Sequence, residues 1–205
     1  MRNRNNDRTS QIRERIAQEA ARVMIEGGTR DFNLAKRKAM ARLRVSGNSK
    51  LPGNDEVERA IESYQRLFLA DRQPGQLNEL RHAALRAMEF LTQFKPRLVG
   101  PVLTGTADKN SNICLHVFAQ TAEDVTLFLM ENGIEHEPAE RRLKMGAAET
   151  VRMPAFRFLA DGRPIELVVF PDTGRRHPPL SPIDGRPMRR ANLAEVASLA
   201  VTDEG

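Results

Sequence analysis

Few side chains in this 205-residue chain combine a reactive type with a spacing that chemistry could use. Cys114 and His116 stand two apart in the run Ile113-Cys-Leu-His-Val-Phe118. On a strand both would point to one face, where an imidazole could lower the thiol pKa and make it a nucleophile. No third group in the sequence orients that imidazole, and a cysteine between Ile113 and Leu115 also reads as a small buried hydrophobe. Glu166 lies between Ile165 and Leu167 in an apolar run, so its carboxylate must face either solvent or a cleft. Arg141, Arg142 and Lys144 form one basic cluster, and Arg175, Arg176, Arg186, Arg189 and Arg190 form another in a Pro-rich stretch. Such clusters grip phosphate, or simply keep a loop soluble. Asp108, in a turn, and Asp124, a cap at a helix start, read as structural residues. His82, His136, His177 and the single cysteine have no metal-ligand spacing, so zinc is not expected.

Charge is unevenly distributed. Residues 1–50 hold 13 Lys and Arg against 5 Asp and Glu, although the whole chain has a net charge of only +5. The N-terminal part therefore suits an anionic partner such as RNA, with Lys36, Arg37 and Lys38 as its densest basic run. A solvated helix face gives the same pattern, since no aromatic residues interleave the charges to stack bases. No stretch approaches the roughly 18 apolar residues of a membrane span. The first residues lack the apolar core of a secretory signal, and one cysteine permits no internal disulfide. A cytoplasmic location is the expectation.

The elements that must position these residues are of two kinds. Before residue 95, four helical patterns are expected: from Ser10 to Gly27-Gly28, from Asp31 to Ser46-Gly47-Asn48, from Asp55 to Leu69, and from Leu77 to Phe94, where Lys95-Pro96 ends the last. After Pro96, β-like runs alternate with turns and helices: Leu98–Leu103, Ile113–Ala119, Val151–Leu159 and Ile165–Phe170. A helix is expected from Thr121-Ala-Glu-Asp124 to Asn132-Gly133, and a last one over Leu193–Ala200. The expected organisation is α+β: a basic all-helical region over 1–95, then a mixed sheet flanked by helices over 96–205.

The segment Leu98-Val-Gly100-Pro-Val-Leu-Thr-Gly105-Thr-Ala-Asp-Lys-Asn-Ser111-Asn112-Ile-Cys114-Leu resembles the signature of the minimal nucleotidyltransferases of the DNA polymerase β superfamily. That signature is a Gly-Ser turn, a second glycine turn, and a Ser-Asp-Ile-Asp-Leu run opening a strand. Gly100 falls on the first glycine, Gly105 and Thr106 on the second turn, Ser111 on the serine, and Ile113 and Leu115 on the apolar positions. The resemblance covers about the last half of the chain. It implies a nucleotidyltransferase-like sheet, with Gly100, Gly105, Thr106 and Ser111 toward a nucleotide. It also implies Mg²⁺ as cofactor, held by two strand carboxylates and a third on a later strand, where Glu166 fits.

The departures fall on the chemistry. Pro101 replaces the serine after the first glycine, Asn112 the first aspartate, and Cys114 the second, so two of three metal-binding carboxylates are gone. A thiol is a poor ligand for Mg²⁺. The expectation is an impaired nucleotidyltransferase-like protein that binds nucleotide or RNA through that cleft, Lys36, Arg37, Lys38, Arg175 and Arg176. Two alternatives stand beside it. One is an active enzyme with a metal site reorganised around Glu166, Asp108 and Asn112; the other is a module that meets a protein partner through its N-terminal helices, its cleft vestigial.

Overall fold

The computed structural model describes residues 2–45, 51–68, 73–108, 111–146 and 149–202. The expected stop at Ser46-Gly47-Asn48 and the third helix's expected end at Leu69 lie outside them. Among the described residues the fold is α+β, with seven helices and one mixed five-stranded sheet. Two compact units form: residues 1–72 with 182–184, and residues 73–181 with 185–205. The packing boundary thus falls before the fourth helix, whereas the helical pattern alone had grouped that helix with the first three.

The first unit is built from α1 (Arg2–Gly27), α2 (Phe32–Leu43) and α3 (Asn54–Phe68). Ile16, Ala20, Val23 and Met24 of α1 bury against Ala35 and Ala39 of α2 and Val57 and Ile61 of α3. The alanines let the backbones approach closely. Asp31 caps α2, accepting from the N–H groups of Asn33 at 2.8 Å and Leu34 at 3.0 Å. That satisfies two of the four donors a helix start leaves open.

The second unit runs α4 (Gln73–Phe90), β1 (Arg97–Val99), α5 (Pro101–Thr104), β2 (Ile113–Ala119), α6 (Ala122–Glu131), β3 (Glu137–Lys144), β4 (Thr150–Ala160), β5 (Arg163–Pro171) and α7 (Leu193–Thr202). The strand order is β1-β2-β5-β4-β3, in which β2 and β5 are parallel and the other pairs antiparallel. Alternation sorts the strands' side chains. Ile113, Leu115, Val117, Ile165, Leu167 and Val169 face one side, packed with Leu80, Met88 and Leu91 from the α4 segment, Val125 and Leu129 of α6, and Val196 of α7. Each such aliphatic chain, fully withdrawn from water, contributes about 1.5–3 kcal/mol. The opposite side carries Cys114, His116 and Phe118 of β2 and Glu166, Val168 and Phe170 of β5. Its apolar part packs with Met153 and Ala155 of β4.

Two expectations are corrected here. The run Leu98–Leu103 is not one strand: β1 ends at Val99, Gly100 takes φ +72°, and Pro101 opens the helical turn α5. A proline lacks the N–H a strand needs but suits the first position of a helix. The second correction is β3, which was not foreseen. Its sequence, Glu137-Pro-Ala-Glu-Arg-Arg-Leu-Lys144, is mostly charged because it is the sheet's edge and buries little.

Candidate functional site

Strand pairing brings Cys114 and Glu166 directly beside each other on the face that α4, α6 and α7 leave uncovered. Arg157 of β4 lies across from Glu166 on the other side, and Arg141 reaches the same carboxylate from β3. Glu166 is only 1% exposed, too buried for a bare charge to be stable. Its charge is met by two guanidinium groups. Arg141 donates through Nε to Oε2 at 2.7 Å, and Arg157 donates through Nε to Oε1 at 2.9 Å. The arginine side chains stay 43% and 50% exposed, so each presents part of its charge to solvent. The result is an arginine clamp with its carboxylate underneath and its cationic surface outward.

The other residues of the expected nucleotide site are placed around the start of β2. Asn112 precedes the strand, and its carbonyl accepts from the Cys114 thiol at 3.7 Å. Ser111 is fully buried and closed on Asp108: its hydroxyl accepts from the Asp108 N–H at 2.7 Å and donates to the Asp108 carboxylate at 3.1 Å. Thr106 is also buried, its hydroxyl 3.2 Å from that of Thr104. Gly105 ends α5 in the left-handed region. These groups hold the turn in shape rather than offering themselves to a ligand. The helix start at Gly100 is likewise weak as a phosphate cradle, because α5 is a single turn and Pro101 has no N–H to give.

Mg²⁺ does not fit the residues present. Both Glu166 oxygens are engaged by guanidinium groups, Cys114 offers sulfur, and Asn112 offers a neutral oxygen. Among the described residues no group of three His, Cys, Asp or Glu side chains comes together in a metal-binding arrangement. Asp108, suggested as a replacement ligand, is committed to Ser111.

His116 meets an arginine. It is buried, and its Nδ1 accepts from Nε of Arg190 at 2.9 Å. Burial, reinforced by the Arg190 charge, holds its pKa down to about 3, so the ring is neutral and works as an acceptor. Arg190 spans the rings of Phe118, at 5.2 Å, and Phe170, at 4.7 Å, and donates to the Gly174 carbonyl at 2.8 Å. Burial and the nearby Arg97 charge lower its pKa to about 10, still cationic at neutral pH. The sequence marked Arg190 only as one of a cluster; its role depends on a pairing 74 residues long that no local pattern announces.

The expected nucleic-acid residues divide by exposure. Lys36 is buried, and its Nζ donates to Oδ1 of Asn54 at 2.5 Å, so it braces the first unit from within. Burial lowers its pKa, opposed by the carboxylates of Glu56 and Asp55. Arg37 and Lys38 are exposed on α2. Arg175 and Arg176 are exposed in a 3-10 turn, Asp172–Arg176, that follows β5. No helix among the described residues is long and apolar enough to cross a membrane.

No protein-family model, curated protein or solved structure matches the chain.

Proposed function

We propose that the second unit is a nucleotidyltransferase-like module in which an arginine clamp stands where the resemblance expects metal ions, and that it binds the phosphates of a nucleotide or RNA without metal. The order of elements supports the kinship: strand, glycine turn, short helix, then a strand opening with the Ser111-Asn112-Ile113-Cys114 run, and a third site residue on the adjacent β5. The observation that carries the function is the clamp on Glu166. Two metal ions serve nucleotidyl transfer by offsetting phosphate charge. Guanidinium groups offset the same charge through paired hydrogen bonds, but cannot generate the nucleophile. Binding without two-metal transfer is therefore the chemistry this face supports.

The test is a calorimetric titration of the full chain with ATP, GTP, CTP, UTP and a short RNA, each in Mg²⁺ and in EDTA. Binding that survives EDTA and weakens in the Arg141→Gln/Arg157→Gln double variant supports the proposal. Absence of binding to every ligand at low salt overturns it.

A further inference from the structure

A second basic site lies at the start of β1, distinct in its residues from the clamp. Here a cleft of about 350 Å³ is walled by Lys95, Arg97 and Arg175, by Asn192 and by the first turn of α7 at Leu193 and Ala194. Three separate segments bring the cations together: the end of the α4 segment, β1, and the 3-10 turn after β5. Among the described residues no carboxylate lines it. Lys95 pairs loosely with Asp172 at 3.9 Å, while Arg97 and Arg175 form no ion pair among the described residues. Arg97 and Arg175 thus add positive charge that Asp172 does not offset, and an anion relieves it.

The helix adds donors. Asn192 and Glu195 cap α7 reciprocally: the Asn192 N–H donates to the Glu195 carboxylate at 2.7 Å, and the Glu195 N–H donates to Oδ1 of Asn192 at 3.0 Å. That leaves the N–H groups of Leu193 and Ala194, the helix residues facing the cleft, among the donors no helical carbonyl can take. The positive end of a ten-residue helix thus coincides with three cationic side chains.

We propose that this cleft binds the phosphate group of a small phosphorylated molecule. The volume of about 350 Å³ suits a ligand of that size. Phosphate rather than a lone carboxylate is indicated, since three cations and two backbone donors outnumber what one carboxylate accepts.

Inorganic pyrophosphate is the probe, titrated calorimetrically into the full chain in EDTA at low salt. Arg175→Glu, at an exposed position, is expected to weaken binding at least tenfold. Arg176→Glu changes the net charge equally but does not line the cleft, and is expected to stay within twofold of the parent. Equal losses in both variants would mean diffuse attraction and overturn the proposal. So would no binding at millimolar pyrophosphate, or binding that survives Arg175→Glu and disappears in Arg141→Gln/Arg157→Gln, which would place the phosphate on the clamp. Loss in Arg175→Glu of binding to a short RNA, with pyrophosphate never bound, would reassign the cleft to a nucleic-acid backbone and also overturn it.

Discussion

Cys114 and Glu166 are register partners on the parallel strands β2 and β5, so a thiol and a carboxylate share one face of the sheet with Arg141 and Arg157 closing over the carboxylate. Placing a hard metal ion there would require Glu166 to leave both guanidinium groups, and Cys114 would give it nothing in return. The same arrangement puts two half-exposed cations where a phosphate can reach them.

Glu166→Gln keeps the shape and removes the charge. Breaking a fully buried pair costs about 3–5 kcal/mol, but here the arginines are half exposed and can hydrate, so a loss of about 1–3 kcal/mol is expected. Urea denaturation of the variant against the parent measures it. No change in midpoint would mean that the clamp contributes nothing to the fold.

His116 gives the fold an acid sensitivity. Its folded pKa of about 3 lies below the ordinary value near 6.5. A depressed pKa means the unfolded chain binds the proton first, so the stability from a neutral His116 is full above pH 6.5 and lost as pH falls toward 3. One such group contributes up to about 1.4 kcal/mol per pH unit within that window. His116→Asn is expected to flatten the slope of stability against pH between 6.5 and 4 relative to the parent. Identical slopes would show that His116 is not held neutral.

Lys36, Arg37 and Lys38 look alike in sequence and are expected to behave differently. Lys36→Ala removes a part-buried hydrogen bond to Asn54 and should cost about 1–2 kcal/mol, read as a lower melting temperature. Arg37→Ala and Lys38→Ala should change stability by less than about 0.5 kcal/mol. In a short-RNA titration each should reduce the salt slope by about one, while Lys36→Ala leaves it unchanged. The reverse pattern would contradict the burial of Lys36.

Gly100 is required by its backbone. At φ +72° and ψ −155° it sits where only glycine is comfortable, while an added Cβ would meet Cys114 at an ordinary 3.9 Å. Gly100→Ala should therefore cost about 1–3 kcal/mol from conformation alone, measurable by denaturant titration. A neutral effect would mean that the turn between β1 and α5 relaxes freely.

How much of this was legible in the sequence depends on range. The apolar strand Ile113–Ala119 has the bounds its sequence predicts, because a continuous buried run is a local signal, and the helices of the first unit follow their period, although α1 begins at Arg2 and carries Ser10 inside it rather than as its cap. Edge strand β3 was hidden, since an element that buries little need not look apolar. The clamp was hidden for a different reason. Glu166 reads as a carboxylate facing either solvent or a cleft; the structure buries it beneath two arginines instead, and those partners come from strands whose pairing joins residues 9 and 25 apart. Lys36 reads as one of three alike because period alone does not say that its ammonium reaches Asn54, at the start of α3.

The most direct test of the central claim compares ATP binding by the parent and Glu166→Gln, each in EDTA and in Mg²⁺. If the clamp is a phosphate site, binding is independent of Mg²⁺, and freeing Arg141 and Arg157 from their carboxylate tightens it several-fold. Binding that requires Mg²⁺ and is lost in Glu166→Gln would contradict the account, because Glu166 would then be a metal ligand and the arginines its bystanders.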